Sequence, residues 1–421
     1  MRASPRPAGR RRPRCAAAGP YAANALQTPH SGYHWDGTAR RFFEGWYFRV
    51  LVPDTGKSFA IIYSAEDPAG GRPASGIGVQ VMGPEDGDYL CHFSRNVHQF
   101  WAARHTLALG AGFQHRGAGA RAPAGMAAAE EFRARVAAGF QASATWHQGR
   151  VQARSVGAQG TVPNTVKECA WEYATEPVAG WGPRNRPQST AGWLAALPVF
   201  EPHWQILMAN GRSSGRIVWG DEVHEFTDAP SYAEKNWGGA FPEKWFWVQC
   251  NSFGGGDELS ITAVGARRKL PGLGASEDVG LIGLHLRGEF IALTPADSTL
   301  EWEVAPWGEW RLEGRNARHR VVVEATTATR GTLLRAPLED GLTPFCRDTF
   351  RGDVRVSVHG AGGELLARAE SSTGALETGG GPWLEPWRIP QAEIKQPLRS
   401  VVNLPFEPRD WLPRRLYPPG L

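Results

Sequence analysis

Apolar and polar residues alternate along most of this chain in short runs closed by turn residues, and the three-to-four spacing of an amphipathic helix is nearly absent. Phe42 to Val52, Ser58 to Ser64 and Gly76 to Met82 read as strands. PDTGK (53–57) and PEDGD (84–88) supply the turns, since glycine and aspartate reach the backbone angles a tight reversal demands. Phe132 to Trp146 and Lys167 to Tyr173 continue the habit, and Arg216 to Phe226 predicts a hairpin turning at Gly220-Asp221. Leu259 to Val264, Gly280 to Leu293, Arg320 to Thr327 and Gly352 to Gly360 repeat it in the later half. The Gly/Ala-rich stretch 110–130 reads as a flexible insertion. The predicted fold class is all-β.

An internal similarity organises these strands. Phe42-Phe43-Glu44-Gly45-Trp46-Tyr47-Phe48 lays over Phe241-Pro242-Glu243-Lys244-Trp245-Phe246-Trp247, and each copy leads through a turn into a β-rich run. The expected organisation is two tandem β-barrel-like units, 28–240 and 241–390, with an extended tail over 391–421. Trp383 and Trp387 should pack back onto the body. Alternating faces in such units would send one set of side chains into an interior wide enough for an apolar ligand.

Composition sharpens the picture. Tryptophan (18) outnumbers tyrosine (8), so most aromatic surface is bulky, polarisable and without hydroxyls. Such rings line apolar pockets or stabilise a cation over their faces. The formal charge of +4 comes from the start of the chain: Arg2, Arg6, Arg10, Arg11, Arg12 and Arg14 all precede the first acidic residue, Asp36. Setting those six aside takes the 46 basic residues to 40, against 42 acidic ones, so no basic field remains to engage nucleic acid. Residues 1–27, Arg/Ala-rich and acid-free, read as an organelle transit peptide. Beyond Cys15, the cysteines Cys91, Cys169, Cys250 and Cys346 form no C-x-x-C pair, which predicts reduced structural thiols. Pro187 to Phe200 is too short to span a bilayer, so the chain is expected to rest on a lipid surface and not to cross it.

Several motifs can be weighed. Gly211-Arg212-Ser213-Ser214-Gly215 fits G-x-S-x-G, but strand-like alternation follows where a helix is needed, and a hairpin turn is the expectation. Gly117 to Ala122 imitates a dinucleotide loop without a βαβ context. His30 and His34 are separated by a Gly-containing loop, and they, with His92, His98 and His105, read as loop or surface residues. His203 lies between an acidic and an aromatic neighbour and reads as a satisfied structural histidine. No metal or cofactor site emerges. The informative pattern is carboxyl groups among aromatics: Glu44 in FFEGWYF, Glu66-Asp67 in YSAEDP and Glu234 in SYAEKNWGG. A carboxyl in apolar surroundings resists ionisation and can serve as an acid near neutral pH.

Segments spread from Thr28 to Trp387 carry a family resemblance. TPHSGYHWDG (28–37), RRFFEGWYF (40–48), STAGWLAALPVFEPHWQI (189–206), APSYAEKNWGG (229–239), KWFWVQCN (244–251) and GGGPW (379–383) together resemble the tocopherol cyclases. EGWYF and EKNWGG also resemble segments of lipocalin-like two-barrel proteins, among them carotenoid hydratases. The resemblance implies two tandem lipocalin/calycin-like barrels and a plastid protein associated with plastoglobules. It also implies a cofactor-free, redox-neutral closure of a prenylated hydroquinone, such as 2,3-dimethyl-6-phytylbenzoquinol, to a chromanol. An acid would protonate the prenyl alkene, aromatic faces would stabilise the tertiary cation, and the phenol oxygen would attack it. Candidate acids are Glu234, Asp67 and Glu44. Tyr232 and Asn236 could orient the quinol, Trp46, Trp237, Trp245 and Trp247 could form the pocket, and His203 could contact the substrate. A non-catalytic prenylquinone or carotenoid carrier and a hydratase remain as alternatives.

Overall fold

A computed structural model describes residues 27–117, 123–154, 162–196, 201–254, 258–270, 275–394, 399 and 408–421. The expected transit peptide, apart from its last residue, lies outside them, as does the dinucleotide-like loop beyond Gly117. Among the described residues no helix is long and apolar enough to cross a membrane.

The chain is all-β and builds two large, curled antiparallel sheets of eleven strands each. The first contains β1 (Phe43–Val52), β2 (Lys57–Glu66), β3 (Gly76–Met82), β4 (Tyr89–Ser94), β5 (Phe100–Ala102) and β6 (Ala108–His115). It continues with β7 (Val136–Ser143), β8 (Trp146–Gln152), β9 (Glu168–Ala179), β10 (His203–Trp219) and β11 (Glu222–Gly238). The second contains β12 (Lys244–Cys250), β13 (Leu259–Leu270), β14 (Ala275–Leu286), β15 (Glu289–Leu293), β16 (Thr299–Val304) and β17 (Glu309–Arg315). It ends with β18 (His319–Thr326), β19 (Thr332–Leu338), β20 (Gly341–Gly360), β21 (Leu365–Gly380) and β22 (Trp387–Ala392). Both sheets use one device: their opening strand lies between its sequence neighbour and a late long strand. β1 sits between β2 and β11, and β12 between β13 and β21.

Strand alternation divides the apolar side chains among three cores. Trp46, Phe48 and Val50 of β1 enter the core enclosed by the first sheet, while Phe246 and Val248 of β12 enter that of the second. The opposite faces of the same strands, with Tyr232, Trp245 and Trp247, form a third cluster where the sheets meet.

Several local expectations change. Phe132 to Trp146 is not all strand: Ala129–Arg135 is a short helix leading into β7, with Glu131 and Arg135 paired one turn apart at 2.7 Å. Residues 110–115 belong to β6, where small residues serve close packing; a Cβ on Gly110 would lie 2.8 Å from the Phe140 carbonyl oxygen. The G-x-S-x-G segment is no turn. It runs through β10, where Ser213 hydrogen-bonds Thr175 at 2.8 Å and Ser231 at 2.7 Å, so its hydroxyl belongs to a buried cross-strand ladder. The hairpin does turn at Gly220. The segment leading into the expected tail forms β22, and Trp383 and Trp387 flank Lys244, whose ammonium lies 4.0 and 5.2 Å from their ring centres.

Candidate active site

β1 and β11 are register partners, with Trp46 opposite Lys235 and Tyr47 opposite Glu234. Successive residues on a strand face opposite sides. These two strands therefore present one set of groups to the first sheet's interior and another to the space between the sheets.

The interior set is ionic and closely partnered. Lys235, fully buried, donates to Glu44 Oε1 and to the Gly32 carbonyl, each at 2.5 Å. The backbone N–H of His34 donates to Glu44 Oε2 at 2.8 Å. Burial pushes Glu44 up and Lys235 down, and their mutual attraction opposes both shifts. His34 stacks on Trp237 with ring centres 3.8 Å apart, and His30 meets His34 at 3.1 Å. Sequence reasoning placed these histidines in surface loops; strand pairing buries them, and burial holds both well below the usual imidazole range. His92 is also buried, with Nδ1 2.7 Å from the Gln152 carbonyl, whereas His98 and His105 are exposed as expected.

The other set borders a cavity of about 500 Å³ between the two sheets, within the range of roughly 300–1,000 Å³ typical of small-molecule sites. Its walls include Tyr47, Trp181, Trp204, Trp245, Trp247 and Phe241. Glu234 projects into it from the first sheet. The Tyr232 hydroxyl donates to Glu234 Oε2 at 2.6 Å, and the Trp247 indole, from the second sheet, donates to the same oxygen at 3.1 Å. Burial dominates these contacts and raises Glu234 to about 7, helped by the negative charge of Glu377. The carboxyl therefore retains a proton far more readily near neutral pH than an exposed glutamate does. Oε2 accepts both of these hydrogen bonds and Trp204 gives the carboxyl a third donor, so the proton sits more readily on Oε1 than on Oε2.

Glu377 enters from the second sheet. It is the register partner of both Trp247 and Asp348 on the strands flanking β21. The Trp245 indole donates to Glu377 Oε1, and burial raises this carboxyl to about 7 as well. Gly379 makes that contact possible: a Cβ there would lie 2.0 Å from the Trp245 ring, so only glycine lets the indole lie flat against β21. Gly283 seats Trp181 in the same way. Asp348 is fully buried behind, raised well above its ordinary range by burial and then by Glu377.

Of the sequence-selected residues, Glu234, Asn236, Trp245 and Trp247 line the cavity, and Tyr232 supports Glu234 from behind; Trp46 and His203 border it, but the Trp46 ring packs in the first sheet's core and the His203 ring stacks on Trp237 at 5.0 Å. Three lie elsewhere. Glu44 and Trp237 belong to the ionic cluster on the opposite face. Asp67 closes the turn after β2 with φ 42°, accepts from the Phe42 N–H at 3.2 Å and faces Arg41 at 3.4 Å. Its neighbour Glu66 is raised to about 7 by burial, but Arg41 lies against it at 2.8 Å. Glu377, Asp348 and Tyr47 were missed. The local signal for Glu377 was the glycine run that follows it, which opens space beside a strand for a large ring.

The family described as tocopherol cyclase-like matches residues 40–380 of this chain. A tocopherol cyclase of Zea mays, named chloroplastic, is 46% identical over 94% of this chain and 87% of its own length. A probable tocopherol cyclase of Oryza sativa subsp. japonica, also named chloroplastic, is 46% identical over 94% of this chain and 88% of its own. Among solved structures, CghA with Sch210972 has a TM-score of 0.47 at 11% identity, covering 81% of this chain and 89% of that one. Kievitone hydratase from Nectria haematococca has a TM-score of 0.42 at 10% identity, covering 86% and 97%.

Proposed function

The chain belongs to the tocopherol cyclase family, and from that premise we propose that the cavity between its sheets closes prenylated hydroquinones to chromanols with Glu234 as the acid. The observation that carries the site assignment is Glu234 itself: a carboxyl raised to about 7, opening on an aromatic cavity. Oε1 gives its proton to the alkene carbon nearer the quinol ring. Positive charge then develops on the tertiary carbon, beside the indole faces of Trp245 and Trp247, which stabilise a cation without bonding to it. The quinol oxygen closes the ring on that carbon. Holding ring and tail folded in one cavity supplies the orientation, and apolar walls keep water from capturing the cation.

The reaction rearranges bonds within one molecule and moves no electrons, so it needs neither flavin nor nicotinamide. The enzyme is a chloroplast protein, as its maize and rice relatives are named. Its substrate is too apolar to travel through water, which favours a plastoglobule surface as the place of work.

The test uses purified, chelator-treated protein and 2,3-dimethyl-6-phytylbenzoquinol in heavy water. The expected product is a chromanol carrying one deuterium on the ring carbon beside the benzylic methylene. A product enlarged by one oxygen would mark a hydratase. Tightly bound but unchanged quinol would mark a carrier.

A further inference from the structure

We propose that Glu377 is the base of the ring closure, taking the proton that the quinol hydroxyl loses as its oxygen joins the tertiary carbon. This rests on the reading of the cavity as a cyclase site with Glu234 as acid.

A cyclisation that begins by donating a proton must end by accepting one. Glu377 and Glu234 line the same cavity from different sheets. Two tryptophans two positions apart on β12, and so on one face, divide their indole N–H groups between the carboxyls: Trp245 donates to Glu377 and Trp247 donates to Glu234. Each carboxyl thus has one oxygen fixed by a donor. The negative charge of Glu377 raises Glu234, so an ionised Glu377 favours a protonated Glu234. That is the state an acid and a base acting in one turnover require.

The groups facing Glu377 support this assignment. From β20 come Asp348 and Cys346, both pushed up by burial. From β1 come Tyr47, held neutral by burial, and Arg49. The Arg49 guanidinium is occupied by Gln249 at 2.7 Å, Ser58 at 3.1 Å and the Thr373 carbonyl at 2.5 Å. Asp348 does not line the cavity, whereas Glu377 does.

The bonds balance. The alkene electron pair forms the new C–H bond with the proton from Glu234, and an oxygen lone pair forms the C–O bond. The O–H pair stays on oxygen, and its proton passes to Glu377. Transfer of that proton back to Glu234 restores the starting state with no net proton consumed.

The test is the pH dependence of kcat/KM in Glu377→Gln, with tocopherol binding, read by quenching of the cavity tryptophans, as the check on fold. Wild-type activity should fall on both sides of neutrality. Glu377→Gln should lose about a hundredfold or more in kcat, keep its alkaline fall and lose its acid-side fall. Activity within threefold of wild type, or a surviving acid-side fall, would overturn the assignment. Should Glu377→Gln not bind tocopherol, Trp245→Phe decides. It removes the donor that favours the charged form of Glu377, so the acid-side fall should move to higher pH, and an unmoved fall rejects the base. Glu234→Gln separates the two readings: near-wild-type turnover there rejects the acid itself, whatever Glu377 does.

Discussion

The paired strands β1 and β11 hold two buried acids on opposite faces, with opposite solutions. On the interior face, Glu44 has a cation in contact with it: Lys235 at 2.5 Å, with the His34 N–H on its other oxygen. On the cavity face, Glu234 and Glu377 receive indole and phenol donors but no ammonium or guanidinium in the contacts described above. Both environments bury their carboxyls. The ionic cluster offsets desolvation with charge and ties two strands together. The cavity offsets it with a retained proton, and a retained proton is what an alkene can take. Burial raises Glu66 as far as Glu234, but Glu66 is tied to Arg41, whereas Glu234 opens on the cavity with only neutral donors in contact.

The sharpest way to break this contrast is to remove the proton while keeping the shape. Glu234→Gln should lower turnover of phytylquinol by about two to four orders of magnitude, with tocopherol binding retained. The comparison fails if kcat is preserved.

The ionic side should answer in stability instead. Lys235→Met leaves Glu44 buried beside no ammonium and should cost about 3–5 kcal/mol in denaturant unfolding. Adding Glu44→Gln to that variant should recover much of the loss. A cost below about 1 kcal/mol would mean the pair does not hold β1 to β11.

A third test reads the cavity carboxyls through linkage. Glu234 and Glu377 stand at about 7 in the folded chain against an ordinary value of 4.5, so folding binds protons between those values. Below pH 4.5 both states are protonated and neither carboxyl penalises folding. As pH rises from about 4.5 to 7 each should remove stability, at up to about 1.4 kcal/mol per pH unit. The Glu234→Gln/Glu377→Gln double variant should be flatter across that window than wild type. Parallel slopes would show that these carboxyls ionise as freely as in the unfolded chain.

The smallest effect concerns tuning. Tyr232→Phe removes a donor that favours the charged form of Glu234, so the alkaline fall in activity should shift upward by about one pH unit or less. A downward shift would contradict the hydrogen-bond direction assigned here.

The sequence made the architecture legible because strand alternation is local. Phe43–Val52 and Gly76–Met82 fall within one residue of their expected limits, and Glu234 stood out as a carboxyl among aromatics. Alternation also says which neighbours share a face, but not what that face meets. Glu44 and Glu234 looked equivalent in sequence, and only the pairing of β1 with β11 separates them onto opposite sides. Glu377 lies 143 positions beyond Glu234 and reaches the cavity through β12 and β21 pairing, a non-local fact that no short motif contains. His30 and His34 looked loop-bound because Pro29 and Gly32 forbid a helix, yet a loop can be buried when β11 supplies Trp237 and Lys235 to receive it.

The adjacency of Glu234 and Lys235 has a consequence for how this strand can change over evolutionary time. A substitution along β11 changes one side chain and leaves the others facing as before, but a deletion of one codon within the strand would exchange the faces of every residue beyond it. The ammonium would then stand in the cavity and the acid inside the first barrel, leaving both without partners. Length is inherited here as strictly as Glu234 and Lys235 themselves: lineages that keep this enzyme should hold the count of β11 fixed.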